Sequence, residues 1–379
     1  MLGSVKVLVT CVPQTGHFSP MAPLVGALVR GGHQVAVATA EAMREPVSRL
    51  GATFEPAGHG MEEWFGQLAA RTRGAPGNGL PPERINHYFV PRLFAEIAAA
   101  DMLDDVLAAG RRWMPDLVVF DTQAYVGPLV AALLDCRQAH HTIGALPAAD
   151  VTQLASDALS PLWRSVGHDV PPHAGLYRGA TLTICPPSLD PALPPTGRRL
   201  PLRPAPRPRR VPRAQEPPLV YFSLGTMWAN PDVVRTVLAG LEDLPVRVVA
   251  TLGSLELAEI GSVPANAEVH GFVPQQDLLP DMSVVVHHAG SGTMFGALAH
   301  GIPQLALPQA ADNFVNAELL ARSGAGLVLT PSEVSAIAVA DAVGRLLEDP
   351  SFVVAARTVG QEIDSMPEAE AVVASLAEA

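Results

Sequence analysis

Two histidines in this chain stand where open α/β sheets do their chemistry. The first is His17, in the link Val12-Pro13-Gln14-Thr15-Gly16-His17-Phe18, directly behind the buried-strand run Val5 to Cys11. A second apolar run, Asp116 to Phe120, delivers Asp121 at its own carboxyl end. A histidine with an ordinary pKa near ~6.5 can take a hydroxyl proton at neutral pH. A carboxylate on its other ring nitrogen would fix the tautomer and stabilise the imidazolium as it forms. Asp121 also reads as a helix N-cap ahead of the apolar run Tyr125 to Leu134, and the two roles are compatible. The second histidine is His288, in His287-His288-Ala289-Gly290-Ser291-Gly292-Thr293, which follows the strand-like Val284-Val285-Val286. A strand, a glycine turn and a helix present backbone N–H groups and the positive end of a helix to an anion. The hydroxyls of Ser291 and Thr293 and the ring of His288 add donors. After the next strand, Gln304 to Pro308, comes Asp312-Asn313, a carboxylate–amide pair that would equally serve as a bare N-cap. A phosphate cradle followed by such a pair suits a sugar joined to a diphosphate.

The elements that must position these residues repeat one pattern. Val5 to Cys11, a helix from Ser19 to Arg30 with Pro20 in its first turn, and the strand Gln34 to Thr39 form a βαβ unit. A parallel, right-handed, doubly wound sheet follows from that unit. The first turn carries one glycine rather than the Gly-x-Gly-x-x-Gly of dinucleotide binders, which argues against a nicotinamide oxidoreductase. Gly58 to Ala100 is less regular and aromatic-bearing (Trp64, Phe65, His87, Tyr88, Phe89, Phe94). His140 and His141 end another strand-like run, with a low expectation of a role. From Pro186 to Pro218 prolines deny the chain helix interiors and central strands, so an extended connector is expected. A second sheet restarts at Leu219 to Leu224, with Gly225-Thr226 behind it. It continues through Val246 to Leu252 and a short strand ending in Phe272-Val273-Pro274-Gln275. A helix from Val334 to Leu347, an Asp349-Pro350 break and an amphipathic tail close the chain. The expected domains are 1–190, a linker 191–218, a second domain 219–355, and a C-terminal helix 356–379 free to pack back on the first.

At 379 residues, 48% apolar and 16% charged, the chain can bury two cores. The net charge of −12 has the wrong sign for a non-specific nucleic-acid binder. Three scattered cysteines without a Cys-x-x-Cys argue against a disulfide frame or a zinc site. The absence of a long uninterrupted apolar run and of a leader pattern predicts a cytoplasmic protein with no membrane span. No Asp-x-Asp occurs to suggest a metal clamp.

The run HHAGSGT, with PQAADNFVNA twenty residues on and GHFSP near the start, resembles the nucleotide-sugar-dependent glycosyltransferases of GT-B fold. More narrowly, it is similar to the bacterial enzymes that glycosylate natural products, including antibiotic deoxysugar transferases. The resemblance spans nearly the whole chain. It implies two Rossmann-like doubly wound α/β domains facing each other across a cleft. His17 becomes the catalytic base and Asp121 its partner. Ser223, Gly225, Thr226, His288, Gly290, Ser291, Gly292 and Thr293 lie against the donor phosphates. Phe272 stacks on the nucleobase, the main chain of Val273 reads its edge, and Asp312 and Asn313 reach the sugar hydroxyls. An aromatic–base stack contributes on the order of 1–3 kcal/mol. Three departures stand out: Ala289 for a frequent glycine, Asn313 for glutamine, and Gly296 where plant relatives carry a ribose-binding glutamate. Because deoxyribose lacks the 2′-hydroxyl, the last favours a thymidine over a uridine diphosphate sugar. The implied reaction is inverting transfer of a deoxyhexose to a hydroxyl of a hydrophobic, polyketide-like aglycone. It involves neither cofactor nor metal, in a monomer or homodimer that binds no nucleic acid. An epimerase of the same fold and a non-catalytic helper of partner enzymes are the alternatives.

Overall fold

Each half of the chain winds a parallel sheet in the same order. The computed structural model describes residues 4–72, 77, 79–81, 84–190, 192, 194–204, 216–225 and 230–378. One compact unit comprises Met1–Cys185, Ala192–Leu202 and Pro367–Ala379; the other comprises Pro186–Pro191 and Arg203–Met366.

The first unit holds seven strands: β1 (Lys6–Thr10), β2 (Gln34–Thr39), β3 (Thr53–Pro56), β4 (Leu117–Asp121), β5 (Arg137–His141), β6 (Ala180–Thr183) and β7 (Arg198–Pro201). Their order is β3-β2-β1-β4-β5-β6-β7, every pairing parallel. The central strands are β-branched and apolar because helices cover both faces; Val7, Leu8, Val9, Val118, Val119 and Phe120 are wholly buried. The second unit holds β8 (Leu219–Ser223), β9 (Arg247–Thr251), β10 (Ala267–His270), β11 (Val284–His287), β12 (Gln304–Ala306) and β13 (Gly326–Val328). Their order is β10-β9-β8-β11-β12-β13, again all parallel. Both orders reverse direction beside the unit's first strand. In such sheets the helices after the two strands at the reversal leave on opposite faces, and a crevice opens at their carboxyl ends.

Three local features depart from the sequence reading. The first helix is Thr15–Arg30, so it starts before Ser19, and His17 lies in its first turn. Gln14 is the extended N-cap whose carbonyl takes the N–H groups of His17 (3.1 Å) and Phe18 (3.0 Å). Pro20 and Pro23 both lie inside the helix, each forfeiting one intrahelical hydrogen bond. Inside the proline-rich stretch, Arg198–Pro201 pairs with β6 as β7. Being last in the sheet it needs ladder bonds on one side only, which is where prolines survive in sheets. Residues 205–215 of that stretch lie outside the described residues. The C-terminal tail is two helices, Pro350–Ser365 and Ala369–Glu378. Asp349 caps the former by accepting the Ser351 N–H at 2.9 Å. The latter packs in the first unit against Thr15–Arg30, burying Val372, Val373 and Leu376.

Arg203, 8% exposed, closes the end of the helix Pro350–Ser365. Its Nε donates to the Ile363 carbonyl (3.2 Å), and Nη2 donates to those of Asp364 (2.7 Å) and Met366 (2.8 Å). These carbonyls stand at the helix end, where the regular intrahelical bonds run out (Ile363 also takes the Met366 N–H at 3.1 Å), and the site is buried where water cannot readily replace the guanidinium. Arg203→Ala should destabilise the second unit by about 2–4 kcal/mol in urea unfolding, and Arg203→Lys should recover less than half, since an ammonium lacks the planar fork.

Candidate active site

His17 and Asp121 occupy the reversal point of the first sheet. β1 and β4 are neighbours, with Thr10 opposite Phe120, so the chain beyond β1 passes the end of β4. His17 Nδ1–H donates to Asp121 Oδ1 at 3.0 Å. That carboxylate, wholly buried, also accepts the Gln123 N–H on Oδ1 and the Val12 N–H on Oδ2, each at 2.7 Å. Burial alone would raise the Asp121 pKa; His17 and the two backbone N–H groups outweigh it and hold the carboxyl below its usual range. With an ionised acceptor on Nδ1, the imidazole carries its proton there and Nε2 keeps a lone pair. Asp121 both caps the turn behind β4, through Gln123, and orients His17. Phe94 lies beside His17 with ring centroids 6.1 Å apart. It comes from the π-helix Val90–Ala98, which with Met61–Thr72 gives the irregular aromatic region its structure.

His140 and His141 belong to the core of the sheet. Both are wholly buried on β5. His140 stacks on Phe120 with centroids 6.0 Å apart, and its Nε2 lies 3.0 Å from Thr122 Oγ1. His141 Nδ1–H donates to the Thr142 carbonyl at 2.7 Å.

The residues expected to cradle a donor gather at the corresponding point of the second sheet. His287 pairs with Ser223 in the β8–β11 register, so the turns after the two strands meet. Gly225, at φ 76°, and Gly290 lie against the His288 ring. A Cβ at 225 would sit 2.7 Å from its Cε1, and one at 290 would sit 2.4 Å from its Nε2. Only glycine admits the imidazole at both places. Burial pulls the His288 pKa below its usual value, so the ring is neutral, and its Nδ1 is buried without a partner. A buried polar atom left without a partner is uncommon in a folded chain and marks this loop as a candidate ligand site. The helix Ser291–Ala299 begins there, with Gly290 as its extended N-cap.

The hydroxyls divide their work. Ser291 Oγ–H donates to Asp312 Oδ2 at 3.3 Å and accepts from Asn316 Nδ2 at 3.1 Å, so it serves the loop itself. Thr293 Oγ1 accepts from Gln275 Nε2 at 2.8 Å, leaving its O–H to donate elsewhere. This bond also ties the Phe272-Val273-Pro274-Gln275 segment, behind the edge strand β10, to the His288 loop. Phe272 is 77% exposed, so it is no part of the core. Val273 beside it is half-buried and Gly292 exposed. Asp312 stands at the N-cap position of the helix Asn313–Ser323 without capping it; its carboxylate turns to Ser291 and Asn316 instead. Asn313 is buried and accepts the Ala310 N–H at 3.3 Å. Thr226 lies outside the described residues. Two residues of this network, Asn316 and Gln275, were not selected in the sequence, although both stand inside its motifs, AADNFVNA and FVPQ.

A family model described as Erythromycin biosynthesis protein CIII-like, C-terminal domain, matches residues 235–379. The aclacinomycin-T 2-deoxy-L-fucose transferase of Streptomyces galilaeus is 30% identical, covering 96% of this chain and 93% of that enzyme. The L-demethylnoviosyl transferase of Streptomyces niveus is 31% identical over 86% of this chain and 85% of its own length. The chain belongs to the family of antibiotic deoxysugar glycosyltransferases. Among solved structures, the glycosyltransferase SsfS6 of Streptomyces sp. SF2575, complexed with thymidine diphosphate, superposes with a TM-score of 0.80 at 26% identity, covering 99% of this chain and 100% of that one. This deoxysugar glycosyltransferase is thus a hexosyl-transferring enzyme of GT-B fold, as its motifs imply. Among the described residues no helix is long and apolar enough to cross a membrane.

Buried histidines give the glycosyltransferase an acid limit. Burial lowers His140 to about 3, His141 to about 4 and His287 to about 3, with a neighbouring histidine adding to the first and last. All are neutral in the fold, whereas the unfolded chain titrates near ~6.5. Their contribution is complete above that pH and declines below it, by roughly 1.4 kcal/mol per pH unit for each histidine. Calorimetric unfolding should therefore show both units losing stability between pH 6 and pH 5, the first through His140 and His141 and the second through His287 and His288, which burial also lowers. A stability unchanged over that range would contradict the neutral assignment.

Proposed function

We propose that the enzyme transfers a deoxyhexose from a thymidine diphosphate sugar to a hydroxyl of a hydrophobic polyketide-like aglycone, with inversion, by a single displacement. The observation that carries this reading is the His17 Nδ1–Asp121 Oδ1 bond of 3.0 Å at a sheet's reversal point. It leaves Nε2 free to accept the acceptor hydroxyl's proton as that oxygen attacks the anomeric carbon. The bond from that carbon to the diphosphate breaks with its electron pair, and thymidine diphosphate leaves from the opposite face. Asp121, ionised and held by two backbone N–H groups, stabilises the imidazolium. Charge on the leaving diphosphate is met by His288, the N–H groups of Gly290, Ser291, Gly292 and Thr293, the Thr293 hydroxyl, and the Ser223-Gly225-Thr226 turn. Such oriented donors supply a large share of the rate in reactions of this kind. We assign Phe272 to the nucleobase face, Val273 to its edge, and Asp312 and Asn313 to the sugar. The donor is the sole co-substrate, with no metal required, and the enzyme works in the cytoplasm as a monomer or homodimer.

The thymidine preference has two supports. A Cβ at Gly296 would sit 3.1 Å from Leu279 Cδ1, so this position is packed against core rather than free to reach a ribose. SsfS6 carries thymidine diphosphate in its crystal. Calorimetric titration should give tighter binding of thymidine than of uridine diphosphate, and the reverse order would overturn the preference. Replacing the base, His17→Ala, should lower kcat by roughly 10²–10⁴-fold. Thymidine diphosphate affinity should stay within twofold of the parent. Lost nucleotide binding with unchanged turnover at saturation would refute the division of roles.

A further inference from the structure

Ala289 is a non-glycine residue held in the left-handed region, at φ 64°, inside the loop that faces the donor phosphates. Its side chain is wholly buried. Both of its peptide groups are gripped by buried polar side chains. The Ala289 N–H donates to His287 Nδ1 at 3.1 Å, and the Ala289 carbonyl accepts from Asn316 Nδ2 at 2.9 Å. Asn316 is 1% exposed and shares its two amide hydrogens among three acceptors: the Ala289 carbonyl, Ser291 Oγ at 3.1 Å and Asp312 Oδ2 at 3.0 Å. Residues either side of Ala289 are the His288 ring and the Gly290 N-cap, whose directions follow from its φ and ψ.

We infer that His287 and Asn316 are positioning residues that clamp Ala289 in its unfavourable conformation and so hold the diphosphate loop ready for its ligand. An L-residue adopts positive φ only where its surroundings over-determine it. Here those surroundings are one acceptor on the strand β11 and one donor on the helix Asn313–Ser323. His287 can accept because burial keeps it neutral, with its proton on Nε2. Asn316 reaches the loop, Ser291 and Asp312 together, so the phosphate-facing turn and the sugar-facing carboxylate are set by one amide. The inference rests on the reading of this loop as the diphosphate site. A glycine at 289 would need no clamp, because both hands of φ are open to it.

Calorimetric titration with thymidine diphosphate, on the full chain, tests the clamp through four proteins: the parent, Asn316→Ala, Ala289→Gly and the double variant. Asn316→Ala should bind at least tenfold more weakly, while Ala289→Gly stays within threefold of the parent. The double variant should recover most of the loss, since glycine removes the strain that the amide opposes. In turnover, Asn316→Ala should raise the donor KM at least tenfold and change kcat by less than threefold. Should Asn316→Ala not fold, Asn316→Ser poses the same question with a smaller change. Parent-like affinity in Asn316→Ala, or a double variant no better than the single, overturns the clamp while leaving the site reading intact. A parent protein that does not bind thymidine diphosphate overturns both.

Discussion

The register of two neighbouring parallel strands governs everything chemical in each half of this enzyme. In the first sheet Thr10 lies opposite Phe120, so the Val12 N–H and the Asp121 carboxylate arrive within 2.7 Å of each other. That carboxylate then selects which nitrogen of His17 carries the proton. In the second sheet Ser223 lies opposite His287, so the Gly225 turn and the Gly290 turn both meet the His288 ring. A slip of one residue would turn every side chain of a strand to the other face. The apolar burial that forbids such a slip is therefore also what fixes the tautomer of His17 and the packing of two turns on His288. Stability and chemistry are specified by the same pairings.

The buried carboxylate of the first sheet is tolerated because it is saturated with hydrogen bonds. Asp121 has no exposure, yet three hydrogen bonds keep it ionised. An isolated buried carboxylate would instead take up a proton, and could not then orient a base. The histidines in the strands solve the problem in the opposite way, by staying neutral. His140 is accommodated by Phe120 and Thr122, and His287 by the Ala289 N–H. Neutrality makes them useful as fixed hydrogen-bonding groups and costs stability in acid.

Much of this arrangement was legible in the sequence, and the parts that were not share a cause. His17, Asp121 and the HHAGSGT run could be placed because each follows an apolar strand, and strand–turn–helix punctuation is local. Pro20 reads in the sequence as a first-turn signal and sets the helix start too late, because the cap carbonyl that Gln14 supplies carries no side-chain signature. The strand β7 was hidden by prolines that an edge position tolerates. The roles of Asn316 and Gln275 depend on hydrogen bonds to residues 27 and 18 positions away. No periodicity or spacing encodes such bonds. Likewise Asp312 has the type and place of an N-cap, and only the coordinates reveal its carboxylate turned to Ser291 and Asn316.

Global charge adds a further constraint on the loop proposed to face the donor phosphates. A chain with net charge −12 repels a diphosphate at long range, and the ring nearest the loop is neutral. Salt screens that repulsion over about 8 Å at physiological ionic strength, so it weighs on approach more than on the bound state. Affinity must then come from short, directed bonds, whose strength depends on donors already pointing at the ligand. Neutral dipoles lose their advantage quickly when they are free to turn, because each must be ordered at binding. A loop that binds by dipoles rather than by ionic charge therefore needs a rigid backbone. The buried contacts around Ala289, the two glycines packed on His288 and the Gln275–Thr293 bond supply that rigidity.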